Sequence, residues 1–168
     1  MEKTFVFIKP DGIERNLIGE IIKRYEEAGL KITTLEMTRP DQETIEKHYP
    51  EEKEYLRSIG EKAEGAGEKV DNPVEYGQMI VRNLKKYVTR GPIVKMILEG
   101  ENAVSLVRKI TGFTDPTKAD KGTIRSDLGD DSIAKANREG RATENLIHAS
   151  GNPEEAEKEI ALWFGAKN

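Results

Sequence analysis

Short apolar runs alternate along this chain with single segments of helical spacing, and that alternation limits its possible folds more than any other feature. Thr4 to Ile8 is a β-rich run that ends at the turn signal Lys9-Pro10-Asp11-Gly12. From Arg15 to Ala28 the apolar residues Leu17, Ile18, Ile21, Ile22, Tyr25 and Ala28 recur at helical intervals, and Gly29 is placed as a C-terminal cap. Leu30 to Arg39 reads as a second strand whose apolar phase slips between Ile32 and Leu35, as at a bulge. Helices over Gln42–Tyr49 and Gly77–Val88, a buried strand over Pro92–Leu98 and a helix over Glu101–Ile110 follow. Asn145 to His148 reads as the end of another buried strand. Asn152-Pro153-Glu154-Glu155 then starts a last helix, with Asn as cap, Pro in the first helical position and a Glu placed to close a capping box. That helix is expected to run to about Phe164 with Ala156, Ile160 and Trp163 or Phe164 on its apolar side. Two βαβ halves without repeats or a dividing linker predict one α/β domain, a βαββαβ sandwich of the split, ferredoxin-like kind.

Two stretches stand outside this pattern. Tyr49 to Gly77 is dense in Glu, Lys and Gly and reads as a charged, partly helical surface excursion. Thr111 to Asn145 reads mostly as loop, polar from Ser126 to Thr143.

Composition removes several classes of function. The length of 168 residues suits one domain with one core. A net charge of −4 argues against a general nucleic-acid binder, which carries a basic surface, though not against a local cationic pocket. With no cysteine there is no disulfide, no thiolate catalysis and no Cys-ligated zinc. The opening apolar run is too short for a signal peptide, and no segment approaches the ~20 apolar residues of a membrane helix. A cytoplasmic protein without a membrane or nucleic-acid partner is expected.

The chemistry concentrates around His148, one of two histidines. A neutral imidazole held between a strand and a helix is a positioned nucleophile or base, and equally a satisfied core residue. Lys9, Arg108, Thr114 and Arg125 supply what an oligophosphate site needs: forked guanidinium groups, a mobile ammonium and a hydroxyl. Each alone is an ordinary surface residue, so their convergence on His148 would define the site. Competing phosphate motifs are missing. Gly60 to Gly65 has P-loop glycine spacing, but Ala66-Gly67 stands where Lys-Ser/Thr is required, and no protein-kinase or zinc-protease signature occurs. If the protein transfers phosphoryl groups, the histidine must carry the group.

The chain resembles nucleoside diphosphate kinase through Phe5, Ile8-Lys9-Pro10-Asp11-Gly12, His48-Tyr49, Gly91-Pro92-Ile93-Val94, Thr114-Asp115-Pro116, Gly122-Thr123-Ile124-Arg125 and Asn145-Leu146-Ile147-His148-Ala149-Ser150, in the family's order from residue 2 to about 164. The resemblance implies a ping-pong exchange, γ-phosphoryl from a nucleoside triphosphate to His148 and then to a nucleoside diphosphate, in a subunit that assembles into tetramers or hexamers. It also implies that Lys9, Tyr49, Arg108, Thr114, Arg125 and Asn145 hold phosphates and ribose, that Ser150 and Glu159 support the histidine, and that Mg²⁺ rides mainly on the phosphates with no protein ligand. The alternative it leaves open is a catalytically weakened, regulatory nucleotide-binding member of the same fold.

Departures from the family pattern are specific. Ile80 and Leu84 fall where the base-contacting helix carries an aromatic and a leucine, so the apolar clamp lacks an aromatic face. Residues of about 50–77 and 127–143 are insertions relative to the family's usual length, polar and read either as solvated loops or as a cover that one of them makes over the nucleotide. Gly151 lacks the carboxylate common after the histidine. In an ideal strand Asn145 and His148 would face opposite sides, so both can touch one nucleotide only if the backbone turns between them.

Overall fold

The computed structural model describes residues 1–165. In chain order its elements are β1 (Glu2–Ile8), α1 (Pro10–Glu14), α2 (Ile18–Glu27), β2 (Lys31–Thr38), α3 (Gln42–His48), α4 (Lys53–Gly65), α5 (Pro73–Thr89), β3 (Ile93–Gly100), α6 (Ala103–Thr111), a 3₁₀ turn at Pro116–Lys118, α7 (Ile124–Leu128), α8 (Ile133–Arg138), β4 (Ile147–Ala149) and α9 (Pro153–Phe164). The strands form one sheet in the order β2-β3-β1-β4, and every neighbouring pair is antiparallel. This is the expected split βαββαβ connectivity.

The central strands have two apolar faces because both sides of the sheet are covered. Val6, Ile8, Val94 and Met96 pack with Ile21 and Tyr25 of α2 and Val107 of α6. Phe5, Phe7, Ile93 and Ile97 face the other way, against Ile45, Leu56, Val81 and the α9 residues Ile160 and Trp163. Double coverage explains why Pro92–Leu98 reads as a continuous apolar run instead of an alternating one. Full burial of a Phe contributes about 1.5–3 kcal/mol, against about 0–1 for an exposed ion pair, so β1 alone outweighs the surface charge pairs. The register of β2 against β3 shifts between Ile32 and Thr34, within the predicted phase slip.

Helix ends follow local chemistry. At α9 the Asn152 side chain accepts from the Glu155 N–H at 2.8 Å, while Glu155 reaches back to the Gly151 N–H at 2.9 Å. The Glu closes the box one residue earlier than expected, on Gly151 rather than on the cap itself.

The stretches read as excursion and loop contain more structure than their sequences suggested. The turn signal at Pro10 nucleates the short α1 instead of ending in coil. Within 49–77, α4 is a full helix with Leu56 buried, and α5 starts at Pro73, where Asn72 caps Val74 and Glu75. The glycines explain the pairing. A Cβ on Gly60 would lie 2.0 Å from the Pro73 carbonyl oxygen, and one on Gly77 would lie 1.9 Å from that of Leu56. The two helices therefore touch backbone to backbone, which only glycine permits. Within 111–145, α8 is capped by Ser132 and buries Ala136, and Arg141 grips the buried Asp131 through two bonds of 2.6 and 3.0 Å. No helix among the described residues is long and apolar enough to cross a membrane.

Candidate active site

Lys9 leaves the end of β1, and β4 runs beside it, so the first and last strands deliver Lys9 and His148 to the same edge of the sheet. A cavity of about 330 Å³ opens there. Lys9, Tyr49, Leu84, Arg108, Thr114, Arg125, Asn145 and His148 all line it. The convergence required by the sequence is thus present. Ile80 is the exception: it lines an adjoining cavity, which shares Leu84, Phe113, Thr114 and Asn145 with the first. Ser150 and Glu159 lie behind the histidine, outside both cavities.

The backbone turn needed between Asn145 and His148 occurs at Leu146. Its φ is +70°, and the Ile147 N–H donates to the Asn145 carbonyl at 2.8 Å. A two-residue hydrogen bond around a positive φ is the rare, strained form of the γ-turn, and such residues cost about 1–3 kcal/mol unless the surroundings hold them. Three contacts hold this one. The Leu146 N–H donates to Asp11 Oδ2 at 3.1 Å, its carbonyl accepts from the Lys9 N–H at 2.8 Å, and its side chain is fully buried. Asp11 is itself buried and accepts from the Tyr87 hydroxyl at 2.6 Å. Burial raises its pKa, opposed by the Tyr87 bond and the Lys9 charge. Arg125 clasps the same turn, donating to the carbonyls of Asn145 (3.0 Å), Ile147 (2.5 Å) and Gly112 (3.1 Å).

The cations are held in different ways. Lys9 is buried and donates to Asn145 Oδ1 at 2.7 Å, and Asn145 in turn donates to the Thr114 carbonyl at 3.0 Å. Burial, and behind it the Arg125 charge, push the Lys9 ammonium down to about 7 against the pull of Asp11. Burial likewise lowers Arg125 to about 10, with Arg108 contributing, so it stays charged near neutrality. Arg108 is exposed, and its guanidinium has no protein partner among the described residues.

His148 is fixed from behind. Its Nε2 lies 2.8 Å from Glu159 Oε1, and the other carboxylate oxygen accepts from Ser150 Oγ at 2.5 Å. Burial opposes the Glu159 charge, but the His148 ring and the Ser150 bond outweigh it and hold the carboxyl below its ordinary pKa. A carboxylate at Nε2 puts the proton there and leaves the Nδ1 lone pair free. The ring stacks on Phe7 at 4.8 Å and meets the edge of His48 at 4.6 Å. His48 accepts from the Trp163 indole N–H at 3.2 Å, and burial drops its pKa to about 3, so it stays neutral. His48, His148 and Glu159 offer ligand atoms within 4.8 Å of one another. Hydrogen bonds tie the trio together through His148 Nε2, both Glu159 oxygens and His48 Nδ1, while His48 Nε2 is buried without a partner among the described residues. The lining of the phosphate-sized cavity contains cations, hydroxyls and an amide but no carboxylate.

Sequence reasoning missed Asp11, Tyr87 and Leu146 as parts of the site, and gave His48 and Trp163 no role. Only the Lys9-Pro10-Asp11-Gly12 run hinted at the first of them.

Two outcomes are expected. Asp11→Ala leaves a buried N–H and a buried hydroxyl without an acceptor and should destabilise the fold by about 2–4 kcal/mol, with turnover falling as Asn145 and His148 lose their shared orientation. Urea titration checks this, and a variant as stable as the native chain would refute the anchoring role. The second concerns Lys9, largely neutral above about 7 in the free protein. A bound polyphosphate raises that pKa, so the complex holds more protons than the free protein in the window above about 7. Binding should therefore take up close to one proton at about pH 8, and affinity should fall as pH rises. Calorimetry in buffers of different ionisation enthalpy measures the uptake; none at all would mean Lys9 is already charged.

The family described as nucleoside diphosphate kinase matches residues 2–58 and 73–168, passing over the segment between. The nucleoside diphosphate kinase of Pyrobaculum aerophilum is 48% identical over 98% of this chain and 95% of its own length. That of Sulfurisphaera tokodaii is 42% identical over 98% and 89%. A crystal structure of the Pyrobaculum aerophilum NDP kinase superposes with a TM-score of 0.89 at 47% identity, covering 97% of this chain and 95% of that one. A Borrelia burgdorferi nucleoside-diphosphate kinase, solved as a transition-state mimic with vanadate and ADP, superposes with a TM-score of 0.81 at 32% identity, covering 97% and 86%. With a family match across most of its length and relatives of this identity over nearly all of it, the chain belongs to the nucleoside diphosphate kinase family.

Proposed function

We propose that His148 carries the phosphoryl group in a two-step exchange between nucleoside triphosphates and diphosphates. The observation that carries this reading is a histidine whose Nε2 is held by Glu159 at 2.8 Å while its ring lines a cavity of lysine, arginine and hydroxyl groups. In the first step the Nδ1 lone pair attacks the γ-phosphorus. The bond from that phosphorus to the β–γ bridging oxygen breaks, the N–P bond forms, and the diphosphate leaves with the electron pair. No proton needs to leave the ring, because Glu159 balances the charge that develops on the imidazole. In the second step an acceptor diphosphate oxygen attacks the same phosphorus and the N–P bond breaks, restoring the neutral ring.

Alignment and charge stabilisation carry most of the catalysis, as the loose transition state of phosphoryl transfer demands. Lys9, Arg108 and Arg125 face the phosphate oxygens, Thr114 and Asn145 steady the ribose end, and Tyr49 and Leu84 close the wall. Mg²⁺ bound on the nucleotide phosphates would supply further neutralisation of their oxygens. The enzyme works in the cytoplasm, where both nucleotide pools are.

We also infer self-assembly. Leu35 and Met37 on the edge strand β2 are 47% and 54% exposed, an apolar strip beside an unpaired sheet edge that favours a second copy. Light scattering of Leu35→Lys/Met37→Lys should report a smaller particle than the native chain; an unchanged mass would move the interface elsewhere.

The reaction is tested by single turnover with γ-labelled ATP and Mg²⁺. Acid-labile, alkali-stable label is expected on the native protein, discharged by GDP, and absent from His148→Asn. Binding of ATP without label would make the chain a nucleotide-binding relative that has lost the chemistry.

A further inference from the structure

One row of side chains crosses the sheet at the level of the nucleophile. Glu36 of β2 stands opposite Lys95 of β3, Lys95 opposite Phe7 of β1, and Phe7 opposite His148 of β4. Directly opposed residues share a face of the sheet, and this face is the one on which Ile160 and Trp163 of α9 pack. Lys95 is the member of the row that its surroundings do not explain. It is a charged group on a central strand, 9% exposed, between Ile93 and Ile97 of the apolar layer. Burying an ammonium opposes folding unless its hydrogens find acceptors.

Those acceptors come from the end of α9. Lys95 Nζ donates to the Trp163 carbonyl at 2.7 Å and lies 4.4 Å from the centre of the Phe164 ring, with the Glu36 carboxylate at 3.3 Å. The Trp163 carbonyl is one of the last four of the helix, which no helical N–H can reach, and the last turn of α9 has no basic residue of its own. The sheet supplies the cation instead. Trp163 is also a residue through which α9 meets the site. Its indole N–H donates to His48 Nδ1 at 3.2 Å, and one turn earlier Glu159 holds His148 Nε2 at 2.8 Å. Apolar packing is non-directional and leaves a helix free to tilt or turn slightly. A charge-assisted hydrogen bond is directional, so Lys95 at one end and the Asn152 cap at the other fasten α9 on both sides of Glu159.

We propose that Lys95 is a positioning residue for phosphoryl transfer: from the row that carries His148 it fixes the C-terminal end of α9, and thereby sets the Glu159 carboxylate against the imidazole. The inference rests on the proposed reaction and adds a residue that acts on it from a distance. Lys95 lines neither the phosphate cavity nor the adjoining one, and at about 4.8 Å per strand it stands roughly 10 Å from His148. It governs the direction of the nucleophile, whereas nucleotide affinity belongs to Lys9, Arg108 and Arg125 on the cavity side. Loss of Lys95 therefore slows the chemical step and spares binding.

Single-turnover phosphoenzyme formation across a range of ATP concentrations separates the two effects, for the native chain, Lys95→Met, Lys95→Arg and Glu36→Gln. Lys95→Met should lower the saturating rate by about tenfold to a hundredfold, the scale of a reacting group misplaced by about 1 Å, with the half-saturating ATP concentration unchanged. Lys95→Arg should restore most of the rate. Glu36→Gln should stay near the native rate, because an exposed carboxylate contributes little. Nitrogen NMR of the imidazoles reads the same effect without substrate: native His148 should show one tautomer, protonated on Nε2, and Lys95→Met a mixture. A native rate and tautomer in Lys95→Met, even in a less stable protein, would overturn the proposal, as would equal losses of rate and ATP affinity. If Lys95→Met does not fold, Lys95→Gln, which keeps a neutral donor, is judged by the same two measures. No phosphoenzyme from the native chain would overturn the reaction, and the tautomer comparison alone would then decide whether Lys95 positions the histidine.

Discussion

The site depends on one buried carboxylate. Asp11, in the first turn after β1, accepts from the backbone of Leu146 and from the Tyr87 hydroxyl, joining three regions that are far apart in sequence. Without that anchor the γ-turn at Leu146 would have no reason to persist, since a branched hydrocarbon side chain gains nothing from a positive φ. With it, Asn145, just before β4, and His148, within it, address one cavity although they are three residues apart. The reactive geometry is therefore a property of tertiary contacts and not of the short strand that carries the histidine.

Charge is arranged with the same economy. Lys9 and Arg125 are both stripped of water, which costs stability in the free protein, and each spends hydrogen bonds on holding the turn or its neighbours. The cost is local and is recovered when an anion arrives, because desolvated cations act more strongly on phosphate than hydrated ones. Behind the histidine the polarity is reversed: Glu159 and Ser150 are acceptor and donor to each other, and the neutral His48 fills the remaining side without adding charge. Cation in front and carboxylate behind give the imidazole one fixed direction, with its unpaired nitrogen toward the cavity.

How much of this could be read from the chain differs by element. The four strands, the bulge in β2, the start of α9 and the importance of His148 follow from short-range patterns, because burial on one or two faces and cap chemistry leave traces within a few residues. The resemblance carried Lys9, Arg108, Thr114 and Arg125, which spacing alone could not gather. What escaped detection is long-range or buried under charge. The partners of Leu146 lie 135 residues away at Asp11, itself 76 from Tyr87, and no periodicity encodes such a link. The helix α4 looked like solvated surface because Leu56 is its one buried large apolar residue, and its packing uses glycine, whose usual message is a turn. Ile80, aligned as a base contact by its place in a helix, lines a cavity adjoining that of Lys9 and His148, an arrangement that only three dimensions reveal.

The backbone contact between α4 and α5 bears on how such a chain can diverge. Because Gly60 and Gly77 meet the opposing main chain, a single added methyl at either position is enough to lift one helix from the other. The fit between α4 and α5 is therefore written at two positions that carry no side chain at all, where the opposing main chain itself stands in the place of a packing partner.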